Sequence, residues 1–505
     1  MKKTKIFKTV LLSGFVLASA ISCTNLNESA IGGVIVSDAA GTVDTHSFLQ
    51  TAINGLQMFD NNANLFPLNE MSTDALVGPT RGGDWDDNAA WRQMHTLTWD
   101  PSHAHITATW NLLLSNVYNC NQVINNNGSA ADVLQARFLR AFYNYYMIDM
   151  FGQVPYRDAS TGLKGDAKVY TRTDATTYVI SELEAILPTL PARTANDASI
   201  INQDAAHFLL AKLYLNKAVF TSAAPQGPYT FAAADMTKVV QHVDAITNTL
   251  APNYWDNFQP SNNTSPEIIF SSKNIRGGAG GNMQTYWRMC NHYNETPDGW
   301  NGFATIAEYY NRFDSADKRK NYTDASVVTH FGNPAGFQVG QQYAPGGTTA
   351  LKDRNGNPLV FTAAVTLVTT GNAIETAGIR AEKYVPDAAN LGAPDNDQIL
   401  MRYADALLMK AEAVTRGGSG SVGTIMTDLA TRAGVTAAPA TLDGIYAERG
   451  RELWWEGWRR NDMIRFGHYL EARALKPSVS DAKYVLLPIP AGALLNPNLK
   501  QNPGY

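Results

Sequence analysis

Residues 131–150, ADVLQARFLRAFYNYYMIDM, are the stretch that decides the fold class. Their apolar and aromatic side chains recur three and four residues apart, the spacing of one face of an α-helix, and twenty such residues are too many for a strand. The same period appears in 46–60 (Phe48, Leu49, Ile53, Leu56) and in 104–126 (Ile106, Trp110, Leu113, Leu114, Val117, Val123). It returns in 178–187, in 204–220 (DAAHFLLAKLYLNKAVF) and in 235–249. A second group follows at 399–415 (ILMRYADALLMKAEAVT), 422–432 and 442–470.

Successive blocks are joined by Gly, Pro or Asn turns and carry Ala where neighbouring helices can approach closely, so they are expected to form helical hairpins. The predicted fold is mainly α: an α/α superhelix of tetratricopeptide-like helical hairpins, although no strict 34-residue period is present. Residues 251–398 have a different texture, rich in Gly, Pro, Asn and Thr, with short strand candidates at Ile268–Phe270 and Leu359–Val368. They are expected to be an ordered, loop-rich excursion, the kind of segment that carries binding on a rigid scaffold. Within it, LKDRNGNPLVFT (351–362) has Asn355-Gly356 between strand-like flanks and is predicted to be a hairpin. Asp353, Asn355 and Asn357 also imitate half a calcium loop, but the closing Glu is missing and the hairpin is the preferred reading. The end, residues 471–505, holds four Pro in YVLLPIPAGALLNPNLKQNPGY and is expected to be an extended tail laid on the fold.

The chain has 505 residues, 45% apolar, 10% aromatic and 17% charged, which excludes a disordered or low-complexity protein. Residues 1–22 carry Lys2, Lys3, Lys5 and Lys8, then an apolar run from Val10 to Ala20 too short to span a bilayer, then Ile21 and Ser22 before Cys23. This resembles a lipoprotein signal peptide with Cys23 as the lipidated residue, the alternative being an ordinary secretory signal with an incidental Cys. The remainder, residues 23–505, is expected to be a single domain, with its helical scaffold at 46–250 and 399–470. Setting the four leader lysines aside leaves 36 basic against 45 acidic residues, a net charge of −9. That balance argues against nucleic acid, whose phosphates require a basic face. Cys120 and Cys290 are the remaining thiols, and sequence leaves open whether they pair.

No GxSxG elbow, Walker loop, HExxH or CxxC is present. His95, His103 and His105 lie close together without a Cys or a third ligand at metal spacing, so no metal and no cofactor is expected. The informative runs mix aromatic and polar side chains. RGGDWDDNAAW (81–91) sets Arg81, Asp84, Trp85, Asp86 and Trp91 in a Gly-containing loop. YWRMCNHYNETPDGWNGF (286–303) sets Tyr286, Trp287, Asn291, Tyr293, Trp300 and Asn301 among further polar residues. Sugars present flat C–H faces flanked by hydroxyls, and aromatic platforms with carboxylate, amide and guanidinium partners suit them. ERGRELWWEGWRRNDMIRFG (448–467) reads as one helix whose pairs Glu448–Arg451, Glu456–Arg459 and Asp462–Arg465 lock it to the scaffold.

Cys23, the helix 448–467 and the tail LLPIPAGALLNPNLKQNPGY together resemble the SusD/RagB family of outer-membrane nutrient-binding lipoproteins. ILMRYADALLMKAEAV (399–414), RGGDWDDNAAW and DGWNGFATIAEYYNRFDSADKR (298–319) are similar to its preceding helix and ligand-side segments. The resemblance implies a non-catalytic, lipid-anchored protein of the cell outer membrane, facing outward. It would capture an oligosaccharide and pass it to a SusC-like TonB-dependent transporter. A RagB-like peptide receptor is the alternative within the family, and a secreted glycoside hydrolase the alternative outside it.

Overall fold

A computed structural model of the chain describes residues 43–157, 166–194, 197–278, 283–369 and 375–505. The leader, Cys23 and the polar stretch after it lie outside the described residues. Thr45–Tyr505 form one compact unit.

The helices are α1 (Thr45–Asn54), α2 (Ala104–Asn125), α3 (Ala130–Met150), α4 (Arg172–Ile186), α5 (Gln203–Phe220) and α6 (Ala233–Asp244). After the excursion come α7 (Tyr403–Thr415), α8 (Ile425–Ala433), α9 (Leu442–Glu452) and α10 (Arg459–Phe466). Their starts are chemical: the side chains of Ser129, Thr171, Asn202 and Thr441 each accept a backbone N–H of the first turn, satisfying donors the helix itself cannot. From α1 through α6 each helix packs on the next, and α6 then packs on α7, which is distant in sequence. The mainly α, hairpin-by-hairpin superhelix expected from the periodicity is the one observed. The excursion therefore leaves the helical stack and re-enters it without interrupting the packing.

Four strands of the excursion matter below: β1 (Ile268–Ser272), β2 (Ala335–Gln338), β3 (Arg380–Glu382) and β4 (Gln398–Arg402). β1 pairs antiparallel with β4, and β2 pairs antiparallel with β3. Two sequence expectations are corrected here. Ile399–Arg402, expected to open a helix, is strand: the run is buried on every residue and pairs with the equally buried β1, leaving the helix to start at Tyr403. The expected continuous helix 448–467 is two, α9 and α10. Trp455 at φ 57° and Gly457 at φ 80° turn the chain between them, which lets Trp454, Trp455 and Trp458 all bury in the core. The break moves Glu456 and Arg459 apart: Glu456 pairs with Arg402 and Lys383, and Arg459 with Asp74. The pairs Glu448–Arg451 and Asp462–Arg465 form as expected.

Cys120 and Cys290 are free and buried. The tail is pinned by Leu487 N donating to Met150 O at 2.8 Å, by Asn502 Nδ2 donating to Phe151 O at 2.9 Å, and by Trp99 Nε1 donating to Tyr505 Oη at 2.9 Å.

Candidate functional site

The two aromatic loops, some two hundred residues apart in sequence, meet. Thr80–Arg81 is tied back on itself by reciprocal backbone bonds between Arg81 and Asp84 of 2.9 and 3.1 Å. The chain then runs through Trp85, Asp87, Asn88 and Ala89, all at positive φ (60°, 42°, 54°, 65°). Left-handed backbone costs a non-glycine residue on the order of 1–3 kcal/mol unless neighbours impose it, and here they do. Trp85 is clamped: its Nε1 donates to Trp300 O at 2.9 Å, and its ring lies 5.6 Å from Trp91 and 5.2 Å from Phe303. A side chain on Gly302 would overlap the Trp85 ring, so the glycine is required for that approach.

On the open side of this clamp Trp300 is 38% exposed, and Trp85 and Tyr293 are half-buried. The Tyr293 hydroxyl donates to Asp84 Oδ2 at 3.3 Å. The 351–362 hairpin supplies a third wall. Asp353 accepts the amides of Asn355 and Asn357 at 2.9 and 2.8 Å, so its carboxylate builds the turn, as the hairpin reading requires. No group of three or more metal-ligating side chains occurs among the described residues. The turn brings Arg354 4.2 Å from the centre of the Tyr293 ring. Glu375 holds Arg354 through its Nε and its backbone N–H, and also accepts His292 Nε2 at 2.8 Å. Arg354 and Glu375 escaped the sequence reading. The one signal was that the hairpin tip carried a charged residue beside Asn355-Gly356.

Several residues expected to face ligand do not. Trp287 (0% exposed) and Tyr286 (2%) lie in the core. Tyr286 packs edge-on to Phe66 and Tyr384 and accepts Gln398 Nε2, because residues 285–288 form a helical turn that points both rings inward. Asn291 donates to Pro297 O and Glu382 Oε1, and Asn301 to Glu375 O while accepting Arg380. Both amides are loop braces. Arg81 is buried and donates to Ala377 O and Gly302 O, and Trp91 is buried against Phe303 and His105 with its Nε1 on Asp87. Asp86 is occupied by Arg92 at 2.5 Å. What remains at the surface is Trp300, Trp85, Tyr293, Asp84, Arg354 and, paired with Arg92, Asp86.

The carboxyls nearby are of two kinds. Asp86, partly exposed, and Glu375, buried, are both held below the ordinary carboxylate range, Asp86 chiefly by Arg92 and Glu375, against opposing desolvation, by its bonds from His292 and Arg354. Beneath the loop, burial pushes Glu382 up to about 8 and Glu295 up to about 7. Hydrolysis of a glycosidic bond needs a raised, reachable acid, and the raised acids here are fully buried. They matter for stability instead. An acid whose folded pKa exceeds its unfolded value of 4.5 stabilises fully below that value, and the contribution is lost as pH rises through the folded pKa. The contribution of Glu382 is therefore expected to be lost between pH 5 and 8, so that the melting temperature of Glu382→Gln rises relative to wild type across that range in differential scanning calorimetry. A difference that stays constant across that range refutes the assignment.

A helical-hairpin scaffold thus carries an aromatic, acid-flanked loop face. The family comparison agrees: residues 244–505, more than half the chain, match the model of the SusD family, and the chain belongs to that family. Proteins of this family are non-catalytic carbohydrate binders of the cell surface. The chain is 25% identical over 492 residues to the starch-binding protein SusD of Bacteroides thetaiotaomicron, covering 87% of this chain and 85% of that one. It is 22% identical to SusD-like protein P2 of Formosa agariphila across the full length of both. Among solved structures, surface glycan-binding protein A from Bacteroides thetaiotaomicron in complex with laminarihexaose superposes with a TM-score of 0.65 at 20% identity, covering 91% of this chain and 98% of that one. No described helix is long and apolar enough to cross a membrane.

Proposed function

We propose that this chain binds an oligosaccharide without transforming it, on the face formed by Trp300, Trp85 and Tyr293. Its lipidated Cys23 would anchor it to the outer membrane, where it would hand its ligand to a SusC-like TonB-dependent transporter. The observation that carries the binding face is Trp300: a large indole 38% exposed, tied through its carbonyl to the half-exposed Trp85, makes with it an exposed aromatic surface of the kind that marks a binding site. Family membership supports the ligand class, as do the names of the starch-binding and laminarihexaose-bound relatives. Asp84 and Arg354 are placed to fix sugar hydroxyls beside the rings.

The test is titration calorimetry of the purified protein against neutral glucan, xylan and mannan oligosaccharides and control peptides. One stacked ring contributes about 0.5–1.5 kcal/mol, roughly 2- to 13-fold in affinity. Trp300→Ala should lose at least that much, while Trp287→Phe, altered only in the core, should bind like wild type. Undiminished affinity in Trp300→Ala removes the site, and binding only to peptides removes the ligand class.

A further inference from the structure

We propose that Arg354 is the specificity-determining residue of this site and that its pairing with Glu375 restricts the site to uncharged sugars. The inference rests on the glycan reading above and sharpens its ligand class.

A half-exposed guanidinium beside an aromatic platform would by itself favour carboxylates and sulfates, because its planar fork offers them two parallel donors. Here the guanidinium charge is already paired through Nε, while its two Nη groups face outward with only Asp84 near them. Arg354 Nε donates to Glu375 Oε1, and its backbone N–H donates to Glu375 Oε2 at 3.1 Å. Its Nη2 lies 3.8 Å from Asp84 Oδ2. Glu375 is itself fixed: its side chain is 6% exposed and accepts His292 Nε2, and its backbone carbonyl accepts Asn301 Nδ2 and Arg380 Nη2. His292 is fully buried, and its Nδ1 accepts the Asn294 amide at 3.1 Å. The carboxylate therefore cannot swing away to release the guanidinium.

Two carboxylates thus face the exposed guanidinium of the aromatic arc, while the neighbouring guanidinium groups of Arg81 and Arg380 are buried and donate to backbone carbonyls. An incoming uronate that reached the Nη groups would sit beside the carboxylates of both Glu375 and Asp84, and like charges at such distances repel. A neutral hydroxyl meets no such penalty. It can accept from the Nη groups that Glu375 leaves unused and donate to Asp84, whose side chain is 54% exposed. Stacked at 4.2 Å, Arg354 also covers one face of Tyr293.

The proposal predicts a gain of function. Hexagalacturonate is titrated at low salt into wild type, Glu375→Gln, Glu375→Gln/Arg354→Ala and Asp84→Asn. Wild type should bind it at least tenfold more weakly than Glu375→Gln, a tenfold gain being about what one freed charge-assisted contact supplies. Asp84→Asn, an exposed change that leaves the packed carboxylate in place, should gain about threefold by removing only the outer repulsion. The double variant should lose the gain, and 0.5 M NaCl should suppress it, since exposed charges are screened. Wild type binding hexagalacturonate as tightly as Glu375→Gln overturns the inference. So does absence of a gain in both Glu375→Gln and Asp84→Asn, or a gain that survives loss of Arg354. Failure of the glycan site itself reads differently: Trp300→Ala would then leave neutral-oligosaccharide affinity intact.

Discussion

Replacing Arg402 with Met is expected to cost this protein about 3–5 kcal/mol of stability at neutral pH, the usual penalty for removing one partner from a buried ion pair. Arg402 stands at the end of β4 and is 1% exposed. Its Nη1 donates to Glu267 Oε1 at 2.8 Å and to Glu452 Oε1 at 2.7 Å, and its Nε donates to Glu456 Oε2 at 2.6 Å. Nη2 reaches Glu456 Oε1 and the Glu452 carbonyl. The network continues outward, Arg432 joining Glu267 and Glu452, and Arg319 joining Glu448, Glu452 and Asp317. Against full burial, these cations hold Glu452 far below the ordinary carboxylate range. Removing Arg402 leaves three buried carboxylates sharing the fewer cations of Arg432, Arg319 and Lys383. Three regions of sequence converge on this one guanidinium: Glu267 just before β1, Arg402 before α7, and Glu452 at the end of α9 with Glu456 in the turn that follows. The loss should therefore appear as a cooperative shift of the urea midpoint with an unchanged slope. Arg402→Lys should recover only part of it, because a single ammonium cannot fork to three carboxylates. A midpoint shift worth less than about 1 kcal/mol, the value of a surface pair, would show that the network contributes nothing net.

Gly302→Ala should weaken oligosaccharide binding at least tenfold, about 1.4 kcal/mol, without touching any ligand-facing side chain. The new methyl would overlap the six-membered ring of Trp85. Moving that ring forfeits its bond to Trp300 O and its packing on Trp91 and Phe303, so both platforms shift together. Global stability should change far less than in Arg402→Met, because Trp85 is already half-exposed. Calorimetric affinity and indole fluorescence of the variant check this. Wild-type affinity with a displaced Trp85 would remove that ring from the binding face.

The scaffold was legible because helices announce themselves locally. In 131–150 and 204–220 the apolar period alone predicts an element, and Ser129 and Asn202 mark its start. Where long-range pairing competes with local period, reading by period fails. Ile399–Arg402 has apolar residues that suit a helix, yet pairing with β1 makes it strand. In 448–467 the helical charge spacing is genuine, but burying three indoles at once required a turn, and the turn sent Glu456 to Arg402 and Arg459 to Asp74.

The site divided in the same way. Composition located the two loops, since Trp85, Trp91 and Trp300 sit where no helical period needs them. It could not tell a platform from a plug. Trp287 and Trp300 are thirteen residues apart in one loop, and one is fully buried while the other is exposed. Asn291 and Asn301 brace backbone and buried acids instead of ligand.

By itself, then, the sequence determined the helical scaffold, the acidic balance that argues against nucleic acid, the family resemblance and the two aromatic loops. All of these are properties of residue type and short spacing. Only the tertiary structure decided which rings reach solvent, and that Arg354 and Glu375 complete the face. Side-chain direction in a loop is set by what packs beneath it, and here that support comes from residues hundreds of positions away.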